Sequence, residues 1–364
     1  MPGSDANRAA LLIAACLAAL PAQAMEPWKL LADTRKGTPR PPWPAGDERG
    51  MANQIGPATW ARCAWHMEQP KAKVYELAHL RSNSMPMSPF SGPYAQKFKG
   101  SAGIPGTRHG FNGEALGEGA EPGAQATQMD ALGHFAFLSE PWDGKPPYPA
   151  QALAYYGGHS QADVKPADDS PLLRLGIEKA PPIVTSAVLL DARAHVGQGN
   201  ALRAGQLVTR QDIEAMLKVQ GLGRRGIQYG DVVYVYTGWS DHWRDPDTEK
   251  TYYAKAPGLS VDAAAYLGER RVVAVGMDAP FIDPVPEGML EGKAGPAAGT
   301  PEALPYAVHH QLITQLGIHH VESAKLDELA RDRVWTSCTM ILPLREKGAA
   351  GSPVRPVAIG VPGQ

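Results

Sequence analysis

Between residues 182 and 278 the chain alternates unbroken apolar runs with segments in which apolar residues recur every three or four positions. The runs PIVTSAVLLDA (182–192), GDVVYVYTGW (230–239) and VVAVGMD (272–278) are short and rich in β-branched residues, which predicts strands buried on both faces. TRQDIEAMLKVQG (209–221) and SVDAAAYLGERR (260–271) carry helical spacing, with Thr209 and Ser260 as N-cap oxygens and Gly221 as a stop. Downstream, PYAVHHQLITQLG (305–317) predicts a helix and IHHVES (318–323) a short strand, while VWTSCTMILPLR (334–345) and SPVRPVAIG (352–360) predict two more strands. Upstream, ATWARCAW (58–65) predicts a short helix and KVYELAHL (73–80) the first strand.

Residues 83–123 and 139–175 lack sustained periodicity and are punctuated by Gly and Pro, so they predict long shaped loops. Strands and helices interleave without the regular βαβ rhythm of a doubly wound sheet. The expected class is mixed α/β: a mixed, partly barrel-like sheet with helices packed outside. No internal repeat is present. Residues 25–50, rich in Pro, Gly and charge, read as an extended arm ahead of a single domain over 51–364.

Composition narrows the function. The 35 basic and 37 acidic residues leave a formal charge of -2, which gives no electrostatic reason to bind nucleic acid or an anionic membrane. A small-molecule substrate is the better expectation. Residues 1–24 resemble an export signal, with Arg8 before an apolar run and Ala-Gln-Ala before Met25, so a periplasmic or secreted protein with no membrane span after cleavage is expected. If Met25 is the true start, the protein is cytoplasmic. Cys16 would leave with the signal; Cys63 and Cys338 stay, either paired or as two core thiols.

Two constellations carry candidate chemistry. ATQMDALGHF (126–135) places Gln128, Asp130 and His134 within seven positions of an otherwise apolar segment. On an extended stretch residues 128 and 130 face the same way, and His134 returns after a turn at Gly133. A buried Asp needs a partner, and a metal ion is one; the alternative is a polar turn in which Asp130 caps backbone amides. The second constellation is His310 with Glu322, twelve residues on, across a helix end and a strand start, with His309, His319 and His320 nearby. Joined, the two supply the mixed N and O donors typical of zinc or manganese.

ATQMDALGHF resembles the signature His-x-Gly-Thr-His-x-Asp-x-x-x-His of the putative cyclase family, which includes bacterial kynurenine formamidases and isatin hydrolase. Blocks in the same order extend the resemblance from about residue 46 to the end, among them VVAVGMDAPFID and HQLITQLGIHHVE. The resemblance implies a swivelling β/β/α fold, a dimer or larger homo-oligomer, Asp130, His310 and Glu322 as metal ligands, and His134 as the catalytic acid/base. Ala124, Ala126 and Gln128 stand where the signature has histidine, glycine and histidine. That implies one divalent ion, zinc or manganese, on Asp130, His310 and Glu322 with Gln128 assisting, rather than two ions.

The implied reaction is hydrolysis of an amide, formamide, lactam or lactone, on an aromatic or cyclic substrate that Trp142, Tyr155, Tyr156, Trp239 or Trp243 could face. Two other classes stay open: a binding protein on a catalytically degenerate scaffold, and a metal-dependent cyclase or lyase. A Cys338 nucleophile is least attractive, because its strand reads as buried.

Overall fold

The computed structural model describes residues 41–117 and 125–363. The export signal at 1–24, Cys16, the arm up to residue 40 and Ala124 lie outside the described residues.

One mixed sheet of nine strands organises the chain. In chain order they are β1 (Lys73–Glu76), β2 (Gln128–Asp130), β3 (Ile183–Asp191), β4 (Val232–Tyr236), β5 (Ala274–Met277), β6 (His319–Glu322), β7 (Thr336–Ile341), β8 (Gly351–Pro353) and β9 (Val357–Gly360). Their spatial order is β1-β9-β7-β3-β4-β5-β6-β2-β8, so the sheet curls as a half-barrel without pairing its two edges. β3, β4, β5 and β6 are mutually parallel and adjacent. The helices α1 (Pro57–Met67), α2 (Arg210–Val219), α3 (Val261–Glu269) and α4 (Ala307–His309) surround it.

From β3 to β6 the path is strand, helix, strand, helix, strand, helix, strand, so a regular βαβ run is present where the sequence suggested none. The long stretches after β4 and β5 spread its period along the chain and hide it. Crossovers that always advance one strand in the same direction put their helices on one face. Accordingly Val188, Leu190, Val233, Val235 and Val275 pack with the α2 and α3 side chains. Their alternate neighbours Ala187, Leu189, Val232 and Tyr234 enter the core on the other face. Burial on both faces is why these strands read as continuous apolar runs.

Thr209 Oγ1 accepts from Asp212 N and Ser260 Oγ from Ala263 N, as the caps predict. SPVRPVAIG is not one strand. It divides into β8 and β9 on opposite sides of the sheet, with Pro353 and Pro356 lacking the N–H a continuous ladder needs. The segment 83–117 is less irregular than predicted: Ala95–Phe98 pairs with Glu114–Gly117, and Ala102–Gly103 with Gly110–Phe111, in a projecting hairpin arm.

Cys63 on α1 and Cys338 on β7 form a disulfide across 275 residues of sequence, resolving the two alternatives left open above. It fastens α1 to the sheet beside β7, where α1 covers β7 and β3.

The predicted helix at 305–317 starts as α4 and continues as a π-helical segment, His310–Gln315. Gly317 ends it at φ +64 and turns the chain into β6, while its carbonyl accepts from Met51 N at 2.7 Å. A Cβ there would lie 2.5 Å from the Tyr156 ring and 2.9 Å from Gly50 Cα. Gly317→Ala is therefore expected to destabilise by about 3 kcal/mol, summing left-handed strain and overpacking, seen as a lower denaturant midpoint at unchanged slope.

Candidate metal centre

β6 and β2 are antiparallel neighbours with Val321 opposite Met129, which brings His320 level with Asp130. On β6, His320 and Glu322 are two apart and so share a face. α4 then hangs His309 over the same point. Asp130, His309, His320 and Glu322 each offer one donor atom, all within 4.8 Å of one another, and all four are buried. His309 Nε2 is 3.3 Å from Glu322 Oε1 and 3.8 Å from Asp130 Oδ2; His320 Nδ1 is 3.8 Å from the same Asp130 oxygen.

Both Asp130 carboxylate oxygens and both His320 ring nitrogens are buried without a hydrogen-bond partner. Leaving buried polar atoms unmet is costly, and two carboxylates facing each other compound it. Burial, then the charge of Glu322, push the Asp130 carboxyl well above its usual range, while His309 pulls it down. Burial and the neighbouring imidazoles push His320 well below the ordinary histidine value. Two imidazoles and two carboxylates, with the donor atoms of Asp130 and His320 unmet, fit a divalent cation.

The cluster is braced from behind. Asp283 accepts from His309 Nδ1 at 2.5 Å and from the backbone N–H groups of Val308 and His309 at 2.7 and 2.9 Å. Burial disfavours charge on His309, but its hydrogen bonds to Asp283 and Glu322 outweigh that and hold its imidazolium well above the ordinary range. With Nδ1 tied to Asp283, Nε2 is aimed at the cluster, the carboxylate–histidine arrangement that fixes a ligand's tautomer and orientation. Asp283→Asn is expected to weaken divalent-metal affinity about 10–100-fold, read by competition against a chelator.

The residues singled out in the sequence fall as follows. Asp130 and Glu322 meet in the cluster. Gln128 lies beside it and donates from Nε2 to Glu322 Oε2 at 3.2 Å, so it holds Glu322 in place. His134 stands outside the four donors, its ring 6.3 Å from that of His309, and lines the same hollow of about 210 Å³ as Gln128, His309 and Glu322. Burial, then the His309 charge, hold His134 down at about 3. Its turn is tight: Gly133 sits where a Cβ would be 2.9 Å from Leu172 Cδ1 and 3.1 Å from Leu175 O.

His310 is a correction. It is turned from the cluster and stacks on Phe137 at 4.5 Å, lining a neighbouring cleft, while His309 takes the place expected of it. In a π-helical turn the bonds run i to i+5, so the α-helical phase that would select between adjacent residues does not apply. His320 and Asp283 join the site from outside the set of residues that the sequence singles out. The i, i+2 spacing of His320 and Glu322 on a predicted strand was the available signal for the first. His319 faces the other way, its Nδ1 2.9 Å from Asp130 O.

The aromatic residues expected near a substrate are mostly elsewhere. Tyr156 is buried against Asp47, Trp239 bonds to Tyr252 O and Trp243 stacks on His79; of the five only Trp142 lines a cleft next to the site. Ala126, at φ +74, explains the glycine the signature carries there.

The chain belongs to the family described as Putative cyclase, whose profile matches residues 75–284. It is similar to kynurenine formamidases from Bacillus cereus and Bacillus mycoides, 34% identical over 101 residues, which is 28% of this chain and 39% of each relative. The match thus spans well under half the length of those curated relatives. In three dimensions it resembles a crystal structure of a novel cyclase, with TM-score 0.70 and 23% identity over 90% of this chain and 98% of the other. An isatin hydrolase A from Ralstonia solanacearum matches at TM-score 0.50 and 21% identity over 84% and 98%. One from Labrenzia aggregata, bound to benzyl benzoate, matches at 0.52 and 16% over 83% and 99%. These structures share the fold, with its curled mixed sheet.

Proposed function

We propose that the protein is a metal-dependent hydrolase of amide, formamide, lactam or lactone bonds, holding one divalent ion, zinc or manganese, on Asp130, His309, His320 and Glu322. The observation that carries this is the buried, unpartnered Asp130 carboxylate facing His320, His309 and Glu322 within 4.8 Å. Held by these four residues, a divalent cation would supply Lewis-acid polarisation of a carbonyl oxygen and would lower the pKa of water toward about 7. Asp283 and Gln128 hold His309 and Glu322 in position. His134, kept neutral, takes the proton as water adds to the carbonyl carbon, and returns it to the leaving nitrogen or oxygen as the C–N or C–O bond breaks.

The names of the relatives, kynurenine formamidase and isatin hydrolase, support the reaction class and an aromatic or cyclic small-molecule substrate. The disulfide and the apolar run behind Arg8 support export to an oxidising compartment. Among the described residues no helix is long and apolar enough to cross a membrane. Exposed Phe98, Ile104, Phe111 and Leu116 on the hairpin arm support a homo-oligomer, since such a surface asks for a cover.

Purified protein is expected to carry about one divalent ion per chain and to lose hydrolysis on chelation, regaining it when zinc or manganese is restored. Full turnover by the stripped protein refutes the proposal. A second reading, a small-molecule-binding protein on a degenerate scaffold, is favoured by Gln128 standing where the signature has histidine. Ligand binding without turnover across a panel of lactones and amides would establish it.

A further inference from the structure

The hollow that holds His134, His309 and Glu322 is walled by Phe90, Phe281 and Tyr253. Beside it opens a larger cleft of about 310 Å³. The two share Phe135 and Tyr306, whose rings meet edge-on with centroids 6.5 Å apart. Both residues are only half-buried, and their side chains stand where the two spaces adjoin. Across the cleft stand Trp142 and Tyr148, perpendicular with centroids 5.2 Å apart, and 46% and 47% exposed. Large aromatic rings left this open, continuous with a reaction chamber, form an apolar landing for a ligand.

The charges around these spaces are as telling as the rings. Among the described residues no Lys or Arg lines either one. Apart from imidazoles and phenols, the ionisable groups are Glu322 in the chamber and Glu140 and Glu302 in the cleft. With Glu322 committed to the metal, a carboxylate on the substrate's distal arm would lie beside Glu140 and Glu302 in the cleft and meet no Lys or Arg among the lining residues.

We propose that the substrate is an electroneutral two-part molecule, with its ester or amide carbonyl in the small chamber and an apolar arm that parts the half-buried Phe135 and Tyr306 side chains to reach the Trp142 cleft. Carboxylate-bearing and zwitterionic amino-acid substrates are disfavoured by the Glu140 and Glu302 carboxylates along the cleft. This rests on the hydrolase proposal and adds the substrate class to it.

The test uses the metal-loaded full chain with phenyl acetate, 4-butylphenyl acetate and 4-carboxyphenyl acetate. The butyl group is expected to raise kcat/KM at least tenfold over phenyl acetate, mainly through KM, and the carboxylate to lower it at least tenfold. Trp142→Ala combined with Tyr148→Ala brings the butyl-to-phenyl ratio toward one. Rates indifferent to both arm and charge overturn the proposal while leaving the hydrolase intact. Calorimetric binding of phenol, 4-butylphenol and 4-hydroxybenzoate needs no turnover. If no ester is cleaved but 4-butylphenol binds at least tenfold tighter than the other two, the two-part site stands, and the hydrolase is decided by metal-dependent turnover on the panel of lactones and amides. Failure of every phenol to bind, or binding that ignores arm and charge, overturns the two-part site.

Discussion

Asparagine in place of Asp130 is expected to cut divalent-metal affinity by at least about a hundredfold, and with it turnover, while the metal-free protein becomes no less stable. The two halves of that outcome have one cause. Asp130 is fully buried, neither oxygen has a hydrogen-bond partner, and Glu322 repels its charge. Its carboxyl is therefore raised in the folded state, so the stability it contributes is present below its unfolded value, about 3.9, and is lost as pH rises through the folded one. Near neutrality a charged Asp130 is a liability that His309 offsets only in part and a bound cation would relieve, and the amide escapes it. Thermal unfolding of chelated protein between pH 4 and 8 should show a flatter profile for Asp130→Asn than for the natural chain. Retained metal in the variant would remove Asp130 from the ligand set.

For His134→Ala the expected pattern is the reverse: metal content unchanged and kcat lowered by about 10²–10⁴-fold, the span typical of losing a positioned acid/base. His134 lines the hollow without being one of the four clustered donors, and its depressed basicity keeps it neutral over the whole working range. The loss should therefore not be recovered by raising pH. Partial rescue by added imidazole, at unchanged metal content, would separate proton transfer from a packing role. Loss of metal from the variant would instead make His134 a ligand.

Much of this architecture is legible in the residues themselves. Buried strands announce themselves at 183–191, 232–236 and 274–277 because both faces are covered, and the caps Thr209 and Ser260 fix where α2 and α3 begin. The approach of residues 128–130 to Glu322 is expected from an acidic position among apolar neighbours at Asp130 and a histidine-flanked one at Glu322, which together supply donors for one cation. What is not legible depends on three-dimensional phase. Which of His309 and His310 faces inward is set by a π-helical turn that no α-helical spacing encodes. Asp283 acts through another side chain and follows a strand end with no periodic mark. The separation of β8 from β9 to opposite sides of the sheet requires the whole strand order, although Pro353 and Pro356 already show that the stretch cannot be continuous.

The Cys63–Cys338 bond has a topological consequence for the two long excursions, 83–117 and 139–175. Both lie inside the covalent ring it closes, together with Asp130, Asp283, His309, His320 and Glu322. A protease that nicks either excursion once leaves two fragments tethered through sulfur, with the donors of the centre still on a single connected molecule. Only reduction of that bond, before the cut or after it, would remove the last covalent link between the pieces.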